Sequence, residues 1–529
     1  MPSSHSPVHR IGVRELTPLL DGWRPADDDA CRRPGNGAPG LGQRTAGSTM
    51  TPGYAALAER LRTLILDGRL PLSTLLPSER TLAETIGTSR TTTTAAYGVL
   101  RDTGFAESRQ GQGTWTTLPG SAGAGTEPDA PWPVQPGDGI PGPLPDLAMA
   151  SFEAPPQLHA AYAAALADLP RYLPGHGYAT AGLPGLRAAI ARRFTERGLP
   201  TRAEQILVTS GSTQALRLVL EALLRRGDRA VVEHPTWPMG IDAVRTAGGR
   251  PVALPMEGGW DADRLAWLVR RANPRLAYLV PDFHNPTGRL LDHEGRRAIA
   301  GVLGGAGCTI VVDETTAELD LRAELQAELA AEGDPRAGLA VQPVPPMATC
   351  AGPAEVITLG SASKTFWGGL RIGWVRADEP LIRRLTQLRA AHDLAGPVLE
   401  QLTAVHLLAG IDAWLPQRRA EVARRCSALR AGLAWQLPGW TSRIPDGGLA
   451  LWVTLPRPES DRLTAAARAL GLGLTPGARF AVEGGLAGRI RLPFTRPVEE
   501  LAVAVDVLAR AWSGGPGRTD DDDPLAPVV

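Results

Sequence analysis

The chain has 529 residues, 43% of them hydrophobic and 21% charged, and its 55 basic side chains balance 55 acidic ones. This length exceeds what one hydrophobic core serves, so two or more domains are expected, while the composition is ordinary for a soluble globular protein. A net charge of zero excludes a global basic field that would attract nucleic acid, although it is compatible with a local DNA-binding face.

The N-terminal residues and the cysteines favour a cytoplasmic protein. The chain has no charge-free apolar run of about 18 residues, the length of a membrane span. The first residues, MPSSHSPVHRIGVRELTP, lack the apolar core of a signal peptide. The four cysteines show neither metal-ligand nor disulfide spacing, which favours reduced thiols. We therefore expect a cytoplasmic protein with no metal site and no membrane span.

Residues 1–50 mix Pro, Gly, Asp and Arg without an apolar period, so they are expected to be a disordered extension. Met50 directly precedes the first periodic segment and is an alternative start of the chain.

Residues 51–117 predict a helix, a helix–turn–helix and a hairpin. The first helix, YAALAERLRTLILD, places four apolar residues on one face: Leu57, Leu61, Leu64 and Ile65. Ser78 is expected to cap a second helix that ends near Ile86, where Gly87 makes the turn. Ser89 is expected to cap a third helix that reaches about Thr103. FAESRQGQGTWTTL then predicts two strands around a glycine-rich turn, which completes a winged helix–turn–helix.

The remaining chain predicts a linker, an α/β domain and a tail. Residues 118–149 are rich in Pro and Gly and are expected to form a flexible linker. From 150 to 513, apolar runs alternate with helical segments, which predicts a mostly parallel sheet with helices on both faces. The seven runs are 206–210, 230–233, 251–254, 276–280, 309–312, 356–359 and 371–375. LALWVTLP and GRIRLPF, among long helices over 395–513, predict a smaller α+β domain, and 514–529 a disordered acidic tail.

The chain contains a single lysine, Lys364, so 54 of its 55 Lys plus Arg residues are arginine. Arginine can replace lysine in most ion pairs, but only lysine sheds its proton and attacks a carbonyl to form a Schiff base. A surface lysine that escaped a mutational bias toward arginine is the alternative explanation. The position of Lys364 just after a predicted strand favours a Schiff base with pyridoxal 5'-phosphate (PLP).

The segment SASKTFWGGLRIGW, residues 361–374, resembles the cofactor-lysine segment of fold-type I, aspartate-aminotransferase-like PLP proteins. The resemblance implies that Ser361 and Arg371 hold the cofactor phosphate, a task that suits arginine because its planar fork donates two hydrogen bonds to one oxyanion. TSGSTQAL adds a predicted strand-to-helix turn at Gly211, Ser212 and Thr213. The backbone N–H groups and helix dipole of such a turn favour the same phosphate.

Three further positions match the family in its own order. Trp237 in HPTWPMG matches the aromatic that stacks on the pyridine ring, and Asn285 in NPTG matches the asparagine that bonds the phenolic oxygen. Asp313 ends a predicted buried strand, where an unpaired carboxylate is expensive, and is implied to face a protonated pyridine nitrogen. The alternatives are an ordinary core tryptophan, a simple turn and a helix N-cap, respectively.

Two more positions also match the family, whereas the segment after Asp313 differs from it. Tyr178 in YATAGLPGLRAAI matches the tyrosine that reaches the phosphate of the neighbouring subunit, which implies a homodimer. Arg491 in GRIRLPF matches the arginine that grips a substrate carboxylate; Arg489 on the same strand, or a structural ion pair for either, is the alternative. The family places a tyrosine two or three residues after the cofactor aspartate, where this chain has Thr315 and Thr316. Thr315 is too short for the same direct contact, which bears on catalytic turnover more than on cofactor binding.

The string LPSERTLAETIGTSRTTTTAAYGVLRDTGFAESRQGQGTW resembles the GntR-type winged helix. The resemblance implies a recognition helix in the major groove of DNA and a wing at the minor groove. The implied DNA-contacting residues are Arg80, Ser89, Arg90, Thr91, Thr92, Thr93, Arg109, Gln110, Gly111, Gln112 and Gly113. A polar, solvated helix face is the alternative, because residues 51–117 hold seven Arg against six Asp plus Glu.

The chain resembles the MocR subfamily of bacterial regulators over about 51–513. In that subfamily a GntR-like winged helix–turn–helix is joined by a linker to a fold-type I PLP-transferase domain. The resemblance implies a homodimeric transcription factor that binds repeated half-sites on double-stranded DNA. Its effector would be PLP, or an amino compound that displaces Lys364 from its imine. An aminotransferase with an accessory DNA-binding module is the main alternative. A scaffold with an inactive PLP domain is disfavoured because Lys364, Asp313, Asn285 and Arg371 are all present.

Overall fold

The computed structural model describes residues 9–20, 53–66, 69–70, 74–109, 113–117 and 146–513, without the side chains of residues 9, 10, 14, 15, 66 and 109. The chain divides near residue 138 into an N-terminal and a C-terminal unit. Most of the predicted linker, 118–145, and the predicted acidic tail, 514–529, lie outside the described residues.

The N-terminal unit is a small helical domain with a sheet at its edge. Its described elements are β1 (His9–Arg10), α1 (Val13–Leu16), α2 (Gly53–Leu66), β2 (Thr74–Leu75), α3 (Glu79–Ile86), α4 (Arg90–Asp102), β3 (Ala106–Arg109) and β4 (Gly113–Thr116). The sheet order is β1-β2-β4-β3, with β1 parallel to β2 and the other neighbours antiparallel. Helices α2 to α4 and the β3–β4 hairpin confirm the predicted winged helix–turn–helix.

Local hydrogen bonds explain why α3 and α4 begin where they do. The Ser78 hydroxyl accepts from the Thr81 N–H at 3.2 Å, and the Ser89 hydroxyl accepts from the Thr92 N–H at 3.0 Å. Each bond satisfies one of the N–H groups that a helix start leaves unpaired. Gly87 ends α3 in the left-handed region, at φ 66°, which a side chain would disfavour. Both predicted caps and the predicted turn are confirmed.

Residues 9–20 fold against the winged helix, so the prediction of disorder over 1–50 is wrong for this segment. Leu16 and Leu20 are fully buried in the same apolar cluster as Leu57 and Leu61 of α2. The Arg60 side chain also donates to a carbonyl of the segment, that of Leu19, at 3.0 Å. Two leucines are too few to set up a visible period, which is why the sequence pattern missed them. The other residues of 1–50 lie outside the described part of the chain.

The C-terminal unit alternates strands and helices over most of its length. Its strands are β5 (Ile206–Thr209), β6 (Arg229–His234), β7 (Arg250–Pro255), β8 (Leu276–Leu279), β9 (Thr309–Asp313), β10 (Val356–Ser361), β11 (Gly373–Arg376), β12 (Thr441–Ser442), β13 (Ala450–Thr454), β14 (Thr475–Pro476) and β15 (Arg489–Pro493). Its helices are α5 (Gln157–Asp168), α6 (Pro184–Glu196), α7 (Ser212–Leu223), α8 (Pro238–Thr246), α9 (Ala262–Ala272), α10 (His293–Gly305), α11 (Gln326–Ala331), α12 (Ala362–Thr365), α13 (Glu379–Ala390), α14 (Val398–Ala409), α15 (Ile411–Gln436), α16 (Ser460–Ala469) and α17 (Val498–Ser513).

The described residues of this unit form a seven-stranded sheet in the order β5-β11-β10-β9-β8-β6-β7. All pairs are parallel except those of β11, which runs antiparallel to β10 and β5. Strands β5, β8, β9 and β10 are buried along their whole length. A strand covered on both faces reads as a continuous apolar run, and all seven predicted strands are confirmed.

A second sheet, in the order β12-β13-β15-β14, is antiparallel throughout and confirms the predicted α+β domain. Asp146 forms a β-bridge with Gly473 beside this sheet, and Leu147 is fully buried. The folded unit therefore starts by residue 146, so residues 146–149 do not belong to a flexible linker.

The topology gathers several chain turns at one edge of the large sheet. Parallel strands β9 and β10 end side by side, at Asp313 and Ser361, and β5 leads into α7 through Gly211. Such an edge is where ligands bind in open α/β sheets. Among the described residues no single helix is long and apolar enough to cross a bilayer; helices α14 and α15, bent by 83°, meet that criterion only as a pair, by length and composition.

Candidate functional site

Lys364 lies on the one-turn helix α12, directly after β10. Its Nζ donates to the carbonyl of Ala150 at 2.8 Å. Burial lowers the pKa of the amine to about 8, assisted by the positive charges of Arg491 and Arg371 and opposed by Asp313. A substantial fraction of the amine is therefore neutral near physiological pH, which is the form that attacks a carbonyl carbon.

Asp313 lies at the end of β9, and its carboxylate is held on both oxygens. Oδ2 accepts from the Tyr278 hydroxyl at 2.9 Å, and Oδ1 accepts from the Thr315 N–H at 3.0 Å. Burial raises the pKa of Asp313, while these hydrogen bonds and the charge of Lys364 act in the opposite direction. Tyr278, in the middle of β8, was missed by the sequence analysis.

The turn after β5 and the segment after Lys364 approach each other closely. Gly211 adopts φ 94°, and a Cβ built on it would lie 2.8 Å from a guanidinium nitrogen of Arg371. The same guanidinium donates to the Ser210 carbonyl at 2.8 Å. Only glycine leaves room for an arginine this close to the first N–H groups of α7, the helix that starts at Ser212. A guanidinium beside the start of a 12-residue helix suits a phosphate group.

Ser361 and Thr213 frame the same turn. The Ser361 hydroxyl is buried, donates to the Ile372 carbonyl at 3.2 Å and accepts from the Ser363 N–H at 3.1 Å. Thr213 is partly buried in the first turn of α7. Their binding of a phosphate stays a prediction, as does that of Ser212 beside them.

Arg491 of β15 is fully buried and reaches two parts of the site. One guanidinium nitrogen donates to the Ala148 carbonyl, and another lies 3.5 Å from Oδ1 of Asn285. Burial lowers its pKa to about 10, and its buried Nε has no hydrogen-bond partner among the described residues. An unpartnered buried donor beside Lys364 is what a carboxylate ligand would satisfy. Arg489 is instead only partly buried and donates to Thr454.

The remaining predicted cofactor residues differ in placement. Trp237 is partly buried and directly precedes α8, packed against the sheet core. Tyr178 is 60% exposed and stacks on His176, with ring centroids 5.6 Å apart, so no contact within the described chain brings it into the site. Its predicted role would require a second subunit.

The departure from the family at residues 314–316 is visible in the contacts. The Thr316 hydroxyl donates to the Asp282 carbonyl at 2.7 Å, and the Glu314 carboxylate pairs with Arg197 at 3.0 Å. Thr315 instead borders a cavity of about 40 Å³ together with Ser361 and Trp374. The phenol hydroxyl nearest to Asp313 is thus that of Tyr278, on the neighbouring strand rather than after the aspartate.

Most of the predicted DNA-contacting residues in α3 and at the start of α4 form an exposed face. Arg80, Ser89, Arg90 and Thr91 are exposed, and Thr92 is partly buried. Thr93 is fully buried, so its predicted contact with DNA is wrong.

The helix period explains the error at Thr93. It shares the core-facing side of α4 with Ala96, Tyr97 and Leu100, which lie three, four and seven residues on. In the wing, Gly113 adopts φ 97°. The Arg109 side chain and residues Gln110, Gly111 and Gln112 lie outside the described part of the chain.

Comparison with known proteins matches both halves of this arrangement. A family model described as "Aminotransferase class I and II" matches residues 158–508, and one described as "Bacterial regulatory proteins, gntR family" matches residues 53–115. The "Probable rhizopine catabolism regulatory protein MocR" of Rhizobium meliloti is 31% identical over 61% of this chain and 65% of its own length. The "Uncharacterized HTH-type transcriptional regulator YdfD" of Bacillus subtilis is 26% identical over 82% of this chain and 91% of its own length.

Among solved structures, the C-terminal unit resembles LysN, the α-aminoadipate aminotransferase of Thermus thermophilus, crystallised with N-(5'-phosphopyridoxyl)-L-leucine. The TM-score is 0.61 at 28% identity, over 70% of this chain and 93% of that one. The bound compound of LysN carries a phosphopyridoxyl group.

Proposed function

The chain belongs to the aminotransferase class I and II family and carries a gntR-family domain, as MocR-type regulators do, and we propose that it controls transcription by sensing an amino compound, or PLP itself, at Lys364. The gntR-family and aminotransferase-family matches support a DNA-binding regulator with PLP as its cofactor. When bound, the cofactor supplies an aldehyde for imine formation and an electron-withdrawing ring.

The residues around Lys364 fit this cofactor. The close approach of Arg371 to Gly211 offers positive charge and helix N–H groups to a phosphate. The buried Asp313 offers a negative charge to a ring nitrogen, and Lys364 offers an amine with a lowered pKa. We propose that these groups, with Ser212, Ser361 and Asn285, hold the cofactor.

The regulatory proposal rests on the hydrogen bonds that Lys364 and Arg491 make to the backbone. Lys364 donates to the Ala150 carbonyl, and Arg491 donates to the Ala148 carbonyl. Both carbonyls lie in the first described residues after 118–145, the segment that joins the two units. An imine at Lys364 and a carboxylate at Arg491 would compete with these carbonyls for the same donors. Ligand binding would thus change the start of the C-terminal unit, to which the linker is attached.

Such competition gives a ligand different affinities for two arrangements, which is the condition for a switch. A carboxylate at Arg491 would accept a hydrogen bond in which both partners are charged. In the bond to the Ala148 carbonyl that it replaces, only the guanidinium is charged, so that bond is weaker. We propose that α-amino acids are the effector class, because their carboxylate would compete with the Ala148 carbonyl for Arg491 while their amine would displace Lys364 from its imine with PLP.

Absorbance and footprinting on the full-length protein would test the proposal. With PLP, the protein should show a visible imine band that Lys364→Ala removes, and formation of the band should accelerate as pH rises through about 8, where the amine loses its proton. Nuclease footprinting upstream of the gene should show protected repeats whose pattern changes when an amino acid shifts the band. No imine band would contradict the sensing mechanism, and no footprint would contradict the regulatory role.

We further propose that the protein acts as a cytoplasmic homodimer. The exposed Tyr178 and the exposed Leu173, near the start of the same loop, support the dimer because they offer a second subunit an apolar contact beside a phenol hydroxyl. Sedimentation of the parent and of Tyr178→Ala, together with their PLP affinities, would test this assignment.

An aminotransferase with an accessory DNA-binding domain is the second candidate. The likeness to LysN and the lowered pKa of Lys364 favour it. Fast multi-turnover transamination together with no footprint would select this candidate over the regulator.

A further inference from the structure

The hydroxyl of Tyr278 faces the cofactor aspartate from the adjacent strand. Tyr278 on β8 is fully buried and donates to Oδ2 of Asp313 at 2.9 Å. Strands β8 and β9 are parallel neighbours, with Tyr278 paired to Val311, so Asp313 projects two residues beyond it toward the sheet edge. The donor is therefore built into the sheet rather than carried by a loop.

The surroundings of Tyr278 fix both its ring and its protonation. Burial and the nearby carboxylates of Asp313 and Glu233 raise its pKa well above the usual value, so the hydroxyl stays protonated and acts only as a donor to Asp313. A Cβ built on Gly240 would lie 2.7 Å from the ring of Tyr278, which shows how tightly α8 packs on the ring. Helix α8 is the one that Trp237 directly precedes.

The charge of Asp313 depends on few groups. Burial favours its neutral form, and the groups that oppose protonation are the Tyr278 hydroxyl, Thr315 and the charge of Lys364. An imine would change the charge of Lys364, whereas the Tyr278 hydroxyl is held by a strand of the sheet and takes no part in imine formation. The hydroxyl is thus a permanent stabiliser of the carboxylate.

We propose that Tyr278 is a positioning residue of the cofactor site, whose hydroxyl holds Asp313 in the orientation and the charged state that a protonated pyridine nitrogen requires. This inference rests on PLP binding and not on the proposed regulatory role. Because α8 packs on its ring, Tyr278 also connects the helix that follows Trp237 to the strand that carries Asp313.

Tyr278→Phe in the full-length, PLP-loaded protein tests the assignment, because it keeps the ring and deletes the donor. Without the donor Asp313 is protonated more readily, and the ring nitrogen loses the anion that keeps it cationic. A neutral ring repels the imine proton less, so the pH midpoint of the visible absorbance change should rise by about one unit, a tenfold change in the equilibrium. The affinity for PLP should fall by about tenfold, because one hydrogen bond to a buried charge is lost.

Tyr97→Phe is the matched control, because it removes a buried hydroxyl in the N-terminal unit, where it donates to the Pro77 carbonyl at 3.0 Å. It should leave midpoint and affinity unchanged. A folded Tyr278→Phe protein with the parent's midpoint and affinity would overturn the proposal.

A second measurement tests the same assignment if the Tyr278→Phe protein does not fold. 3-Fluorotyrosine, a more acidic phenol and stronger donor, would be incorporated into a Tyr178→Phe chain, which lacks the other tyrosine assigned to the cofactor. The midpoint should then move downward, and an unchanged midpoint would contradict the assignment. If no visible band forms in the parent, cofactor binding itself fails, which is a different result.

Discussion

At the scale of single residues, burial separates two arginines that are nearly equivalent in sequence. Arg489 and Arg491 lie two residues apart on β15. Arg491 is buried, faces Asn285 and Lys364, and has an unpartnered Nε among the described residues. Arg489 is only partly buried and donates to Thr454. A ligand carboxylate should therefore bind more tightly at Arg491 than at Arg489. Burial strengthens the attraction between the two charges, and Nε of Arg491 has no other partner among the described residues.

Arg491→Gln should weaken the response to an α-amino acid by tenfold to about a hundredfold, the loss expected for charge-assisted hydrogen bonds. The response is read as the concentration that half-converts the visible band. The decarboxylated amine of the same amino acid should be affected little, because it lacks the group that Arg491 binds. Arg489→Gln is the matched control and should leave both values near those of the parent. The reverse order of the two variants would assign the carboxylate to Arg489.

Residue type and spacing alone predict part of this site but not all of it. Lys364 and Asp313 were found because their chemistry is unusual for their positions: a single lysine, and a carboxylate at the end of a buried strand. Tyr278 was missed because its partner is 35 residues away, on another strand. The Ala148 and Ala150 carbonyls were missed because every residue has one, and only the fold decides which carbonyl meets a cation.

At the scale of elements, the strands of the large sheet were predictable because strands buried on both faces read as continuous apolar runs. The short elements over 9–20 were not, because a two-residue strand and a one-turn helix carry no period. They are nevertheless packed: β1 pairs with β2, and Leu16 and Leu20 are fully buried with Leu57 and Leu61. A chain that began at Met50 would expose this side of α2 to water.

A protein starting at Met50 should therefore have a less stable winged helix than the full chain. Leu20→Ala alone should cost about 2–5 kcal/mol, the range for deleting a buried leucine side chain. Calorimetric unfolding and protease resistance of residues 53–117 in the full-length protein would measure both changes. Pro18→Ala is the control, because Pro18 is exposed in the same segment. Equal stability of the Met50-start and full-length proteins would contradict a structural role for 9–20.

At the scale of the whole molecule, residues 146–150 are the segment through which a covalent change at Lys364 would reach the linker. Residues 146–150 lie across the site, fixed by a bridge from Asp146 to Gly473 and by the two cations that contact Ala148 and Ala150. An imine between PLP and Lys364 would remove the contact to Ala150, and a ligand carboxylate at Arg491 would remove the contact to Ala148. The remaining contacts then set the free energy needed to displace residues 146–150. That free energy in turn sets the effector concentration needed for switching.

The hydroxyl of Thr475 is one of those remaining contacts, since it donates to the Ala148 carbonyl at 3.1 Å. Thr475→Val keeps the shape of the side chain and removes the donor, which weakens the docked arrangement by roughly one neutral hydrogen bond, about 0.5–1.5 kcal/mol. Because the ligand competes with that arrangement, half-maximal change of the footprint should occur at a roughly two- to tenfold lower amino-acid concentration. Thr495→Val is the matched control, because the buried Thr495 hydroxyl has no partner among the described residues. If both variants respond at the parent's concentration, the docked segment does not set the switching threshold. If Thr475→Val needs more effector, the segment stabilises the ligand-bound arrangement instead.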